Sequence, residues 1–298
     1  MANGNAEETP LRIGVLSALV SEIEPLLGWV GQVRRIPAPV GLLYQASYGG
    51  HELFLGVAGT QKTNTAAALQ ALITGYRPDV LFFTGVAGAL DPELAINDVV
   101  LASSVVHHDA GVLYGSPQVF HPFGPRIADE AAEQAALWGR VNRFNSDRGL
   151  LRAARQAAIN LTSLAPDRKF KEGVIATGDQ VVFSSEKRQH IREQFEALAV
   201  ETEGAAFAQV AWTNKVPFLV VRSISDDAHE QSLSAEKLAR IVSAAPIHST
   251  GEETEHELAR TIHTVAESAA ALVLATIDEL PDHLPLTDLA DSADSEAV

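Results

Sequence analysis

Cysteine is absent from this 298-residue chain. That absence excludes a disulfide framework, a thiolate-held metal and a cysteine nucleophile. Basic residues are scarce as well: 22 Lys and Arg stand against 38 Asp and Glu, a formal net charge of −16. A nucleic-acid partner needs clustered Lys and Arg against its phosphates, so none is expected. No apolar run approaches the ~20 residues of a membrane span, so no membrane partner is expected either. The opening residues, MANGNAEETP, offer neither a basic n-region nor an apolar h-region and do not read as a signal peptide. The expectation is a cytoplasmic protein.

What is present is ordinary for a globular chain: 46% hydrophobic and 20% charged residues. No change of composition divides it. A polar, disordered N-terminus over 1–10 and a folded body over 11–280 are expected. A disordered tail over 281–298 follows, with five acids and no Lys or Arg.

Apolar strands bounded by turn signals recur at 11–16, 44–48, 52–57, 78–83, 99–106, 170–176 and 218–221. Gly49-Gly50 joins the second and third of these as a hairpin. Helical spacing predicts helices from Glu22, over 64–73, 150–164, 185–198 and 255–280, with a short stretch at 128–137 inside a Pro- and Gly-rich segment, 115–145. Strands alternating with helices, and buried on both faces, give an α/β sheet covered on each side.

Three features invite a chemical reading. Residues 56–63, GVAGTQKT, nearly match a phosphate-binding P-loop, but Gln61 replaces the glycine that needs close backbone approach. His107-His108-Asp109 is a candidate metal cluster. Adjacent side chains point apart on a strand and no further ligand recurs at suitable spacing, so neither metal nor cofactor is expected. The third is the stretch 200–227, VETEGAAFAQVAWTNKVPFLVVRSISDD. It brings Glu201 and Glu203 to a helix entrance and Asp226 to a strand exit, on the rim where α/β proteins bind ligands. Glu22 holds a similar place after the first strand, where a helix N-terminus favours its charge.

The order and spacing of IGVLSALVSEI (13–23), RPDVLFFTGVAGAL (77–90), GVIATGDQVV (173–182), VETEGAAFAQV (200–210) and VPFLVVRSISDDA (216–228) carry a resemblance. The chain resembles the nucleoside phosphorylase superfamily, most closely its 5′-methylthioadenosine/S-adenosylhomocysteine nucleosidases. The resemblance spans about 13–238. It implies a single-domain three-layer α/β/α fold with a central mixed, mostly parallel sheet. It also implies cleavage of the N-glycosidic bond of a purine nucleoside by water, through an oxocarbenium-like transition state, in a homodimer.

Carried over residue by residue, Glu22 is the base that activates water and Asp226 the acid that protonates the purine at N7. Glu203 holds the ribose hydroxyls and the ribosyl positive charge. Acid and base groups of this kind are typically worth ~10²–10⁴ each in rate. An aspartic acid that donates a proton at neutral pH calls for a burial-raised pKa. The same matching puts Ala87, Gly88, Val181, Val182, Glu201 and Thr202 against the nucleoside, with backbone near Val182 meeting the purine edge. It sets Tyr114 where a neighbouring subunit covers the 5′ substituent.

The chain departs from that pattern at several points. Thr202 stands for a methionine, Val181 for an aromatic residue that stacks on the purine, and Gln61 for a glycine, while 115–145 and 242–256 are longer than usual. A phosphorylase on the same fold, a futalosine-type nucleosidase and a non-catalytic nucleoside binder are the competing readings. Scarce Lys and Arg at the strand exits, with Glu22 set to repel phosphate, favour hydrolysis.

Overall fold

The apolar runs become the centre of a sheet because their Val, Ile, Leu and Phe side chains are covered on both faces. In a computed structural model, which describes residues 10–115, 119–123, 126–127, 141–164, 167–226 and 252–280, the first of these is β1 (Arg12–Ser17). It pairs in parallel with β4 (His51–Val57) and β5 (Val80–Ala89). β2 (Gly31–Arg35) and β3 (Leu42–Tyr48) extend the sheet beyond β4 in antiparallel fashion, and Gly49-Gly50 forms the expected two-residue turn between β3 and β4.

On the other side of β5 the sheet closes into a ring. β5 pairs with β13 (Phe218–Asp226) and with β12 (Ala197–Glu201). β12 pairs with β11 (Phe170–Thr177), β11 with β6 (Val99–His107), and β6 returns to β13. β10 (Val141–Asn145) and β9 (Arg126–Ile127) continue outward from β6. A separate hairpin pairs β7 (Gly111–Tyr114) with β8 (Val119–Pro122). The sheet is mixed, as expected: among the described residues six of its pairings are parallel and five antiparallel.

Helices cover both faces. α1 (Val20–Trp29), α3 (Arg148–Leu164) and α6 (Glu252–Asp278) bury Ile23, Leu26, Leu150 and Val273 against one face. α2 (Lys62–Tyr76) and α5 (Gly204–Thr213) bury Leu69, Leu72, Phe207 and Ala208 against the other. α4 (Ser185–Phe195) lies over the ends of β11 and β12 through Ile191 and Phe195. Each fully buried Leu or Phe contributes ~1.5–3 kcal/mol, and the sheet strands hold many of them. No described helix is long and apolar enough to cross a membrane.

Two expectations need correction. The predicted helix over 185–198 stops at Phe195, where Glu196 turns left-handed (φ 55°), and 197–201 is strand β12. Pairing with β5 and β11 overrides the helix preference of Ala and Leu there. The strands predicted to end at Phe83 and Val221 run on to Ala89 and Asp226, because they pair with each other from Leu81 to Gly88. The expectations for residues 1–9, for a helix over 128–137 and for the tail 281–298 lie outside the described residues.

Candidate active site

Glu22 enters the site because β1 ends in polar residues and α1 begins at once. Its carboxylate bends back over the helix N-terminus, accepting the N–H groups of Ala18 (3.0 Å) and Leu19 (2.8 Å) on Oε2. Oε1 accepts the N–H of Val86 in β5 at 2.9 Å. Burial pushes the Glu22 pKa up from its ordinary value, while Arg222 and the three N–H groups pull against that rise. The carboxylate is held in one orientation yet is readier to take a proton than a surface glutamate.

Arg222 is the centre of the same cluster. It is 0% exposed, in the middle of β13. One terminal nitrogen, Nη2, pairs with Glu201 and approaches Glu203 Oε2 at 3.3 Å, while Nη1 donates to the Thr84 carbonyl at 3.2 Å. The guanidinium also lies 4.4 Å from the Phe83 ring centroid. Gly85, at φ 151°, makes room for this arrangement. A Cβ there would stand 2.4 Å from Arg222 Nη1 and 2.5 Å from Glu22 Oε1. Glu22 and Arg222 therefore meet over a residue that must be glycine.

Glu201, the last residue of β12, accepts the Thr177 hydroxyl and the N–H groups of Glu203 (3.1 Å) and Gly204 (2.7 Å to Oε2) besides its bond from Arg222. Its acceptor capacity goes to the start of α5 and to Arg222. Glu203 is the N-cap of α5 and keeps an oxygen toward α2, accepting the Gln61 N–H at 2.8 Å and the Thr202 hydroxyl. Burial, and then the charge of Glu201, push Glu203 up to about 7; Arg222, Thr202 and Gln61 oppose the rise. Three buried carboxylates thus share one guanidinium.

The far end of the site lies three residues along β5, ~10 Å from Gly85 at the rise of a strand. A bulge in β13 between Ile224 and Asp226 brings Asp226 opposite Gly88. Such bulges re-aim a side chain. Asp226 accepts the Ser225 hydroxyl at 2.9 Å and forms an ion pair with Arg188 of α4. A Cβ on Gly88 would stand 3.0 Å from Asp226 Oδ1 and 3.1 Å from Arg188 Nη2. Ser225 also donates to the carbonyl of Ala87 at 3.3 Å. Val182 is buried and its carbonyl accepts Arg188 Nε at 2.8 Å, whereas Val181 is 66% exposed.

The structure therefore gathers Glu22, Glu201, Thr202 and Glu203 at one end, and Ala87, Gly88, Val182 and Asp226 at the other. Tyr114 joins none of these described contacts: it is 51% exposed on the β7–β8 hairpin and stacks on His121 at 5.6 Å. The near-match to a P-loop faces carboxylates: the Gln61 N–H meets Glu203, the Lys62 N–H meets Asp179 at 3.0 Å, and Lys62 Nζ meets Asp109 at 2.7 Å. A loop whose donors are taken by carboxylates is a poor phosphate cradle. His107 reaches Gln209 at 3.1 Å, and His108 lies beside Gly178, so the two rings face different neighbours.

Two residues of this candidate site are not singled out by the sequence reading, Arg222 and Arg188. Each carried a signal. Arg222 continues the apolar run 218–221 into a buried strand, and Arg188 falls on the buried face of α4 with Ile191 and Phe195. A buried arginine needs partners, and only the fold shows which carboxylates supply them.

Comparison with known proteins identifies the family. The phosphorylase superfamily profile matches residues 12–278. The 5′-methylthioadenosine/S-adenosylhomocysteine nucleosidase of Tolumonas auensis is 32% identical over 225 residues, 75% of this chain and 90% of that protein. The aminodeoxyfutalosine nucleosidase of Campylobacter jejuni is 32% identical over 223 residues, covering 74% and 88%. The crystal structure of the Neisseria meningitidis 5′-methylthioadenosine/S-adenosylhomocysteine nucleosidase in complex with methylthio-immucillin-A superposes with a TM-score of 0.69 at 28% identity, covering 90% of this chain and 99% of that one. This chain belongs to the phosphorylase superfamily, in the branch that contains these nucleosidases.

Proposed function

We propose that this chain hydrolyses the N-glycosidic bond of a 5′-modified adenosine, 5′-methylthioadenosine or S-adenosylhomocysteine, and releases adenine. Water adds to C1′ as the C1′–N9 bond breaks. Glu22 takes the proton of that water, Asp226 gives a proton to N7, and the bonding electron pair leaves with the base. Glu203 holds the ribose hydroxyls, and the carboxylate cluster favours the positive charge on the ribosyl ring. Ala87, Gly88, Val181 and Val182 line the base, and Thr202 orients Glu203. Glu201 acts indirectly by fixing Arg222 and the start of α5.

The observation that carries this reading is the buried cluster of Glu22, Glu201 and Glu203 around one arginine. Its excess of negative charge favours a neutral water over phosphate as nucleophile. This chain's equal identity to an aminodeoxyfutalosine nucleosidase, 32% as for the methylthioadenosine enzyme, supports a second 5′ substituent as the alternative substrate. The same reading takes residues 11–280 as one catalytic domain in a cytoplasmic homodimer. The exposed Val112, Leu113 and Tyr114 of the β7–β8 hairpin then meet the neighbouring subunit.

The test is base release from methylthioadenosine, adenosylhomocysteine, aminodeoxyfutalosine and inosine, each with and without phosphate. Adenine release independent of phosphate is expected. Release only with phosphate sinks the hydrolase reading, and no release from any of them sinks the enzyme.

A further inference from the structure

Arg188 is an expensive residue to bury. It is 3% exposed, and an unpaired guanidinium at that depth costs several kcal/mol. Among the described residues, three different segments of the fold hold it. Nε donates to the Val182 carbonyl at 2.8 Å, Nη1 to the Ala89 carbonyl at 3.3 Å, and Nη2 to Asp226. Those partners come from the 178–184 loop, the end of β5 and the end of β13. Each of these three segments meets the purine in the reading above. The first turn of α4 fixes the arginine backbone, with Ser184 capping the helix through the Lys187 N–H. Gly88 lacks the Cβ that would press on both members of the Arg188–Asp226 pair.

We propose that Arg188 is a positioning residue for the base end of the site. Its planar fork ties Asp226 to the two carbonyls and fixes the carboxylate toward N7. The inference rests on the reading of Asp226 as the acid. A carboxylate with one oxygen taken by Arg188 and the other by Ser225 has little rotational freedom. It meets N7 in one geometry, as proton transfer requires. A rigid, delocalised cation suits this role better than a lysine, whose ammonium is a single mobile point charge.

The test uses two adenine nucleoside analogues that resist cleavage. The 9-deaza C-nucleoside of 5′-methylthioadenosine carries a hydrogen on N7 and donates it to a well-placed carboxylate. The 7-deaza analogue has a carbon there and cannot. Dissociation constants for both are measured by calorimetry on the full chain, together with kcat for methylthioadenosine. The wild type is expected to favour the N7–H ligand by ~10–100-fold. Arg188→Met is expected to lose most of that preference and ~10–100-fold in kcat.

Loss of affinity for both analogues in equal measure, with the preference intact, would make Arg188 a structural filler and overturn the proposal. An unchanged kcat would overturn it too. If Arg188→Met does not fold, Arg188→Lys keeps a buried cation and must show the same narrowing in smaller degree; an intact preference there is equally adverse. Asp226→Asn separates the two layers. If it keeps the preference, the acid assignment falls and takes this inference with it. If it loses the preference while the arginine variants retain it, only the inference falls.

Discussion

Replacing Glu203 by glutamine is expected to stabilise the protein in alkaline solution while removing activity. Glu203 is buried, and burial together with the neighbouring Glu201 raises it from 4.5 to about 7. A raised carboxylate pKa means that the folded state holds the proton more tightly than the unfolded chain does. Stability is therefore full below pH 4.5, declines as pH rises from there, and levels off above pH 7. The gap between 4.5 and about 7, at ~1.36 kcal/mol per pH unit, amounts to ~3 kcal/mol.

Glutamine is isosteric and still accepts the Gln61 N–H, but it carries no charge to bury. The stability difference between Glu203→Gln and wild type should then grow by ~3 kcal/mol in favour of the variant between pH 4.5 and pH 8. Urea unfolding at a series of pH values measures it. Hydrolysis should fall by ~10²–10⁴-fold at every pH, since the ribosyl charge loses its partner. A difference in stability that does not change with pH would refute the reasoning, because Glu203 would then carry no charge that burial resists.

Three further outcomes follow from the same cluster. The acid limb of kcat/KM should lie near neutral pH, because Glu203 titrates at about 7 and Glu22 is also raised, and both must be charged to act; a pH–rate profile checks this. Gly85→Ala places a Cβ 2.5 Å from Glu22 Oε1 at a strained φ, and should cost ~1–3 kcal/mol in a denaturation curve and ~10²-fold in turnover. Thr202→Val removes the hydroxyl that donates to Glu203, so the acid limb should move to higher pH while the fold stays within ~1 kcal/mol of wild type.

Much of the site was legible before the fold was known, for a physical reason. Glu22 and Asp226 each follow an apolar run that reads as a buried strand, and polar residues at such exits gather on one rim, while Glu203 stands at the entrance of a helix of small residues. The alternation of strands and helices likewise announced a sheet covered on both faces.

What stayed hidden depends on contacts between distant segments. The run EALAVE reads as helix by composition, and only pairing with β5 and β11 makes it β12, which delivers Glu201. The closure of the ring through β13 and β6 leaves no local pattern at all. β2 has the exposed composition of a surface loop, with no apolar alternation to mark it. Gln61, an unusual residue at that position, proves to offer its backbone N–H to a carboxylate rather than a phosphate. Asp226, the carboxylate that meets Arg188, and Glu201, which meets Arg222, lie 38 and 21 residues away in sequence, beyond any periodicity argument.

The central claim is that water, activated at Glu22, attacks C1′ while Asp226 protonates the leaving base. Hydrolysis of methylthioadenosine in oxygen-18 water, with mass analysis of the sugar product, tests it most directly. The account predicts free adenine and one labelled oxygen at C1 of the methylthioribose, with phosphate making no difference and Glu22→Gln abolishing the reaction. A ribosyl 1-phosphate formed in the presence of phosphate, or undiminished turnover in Glu22→Gln, would contradict it.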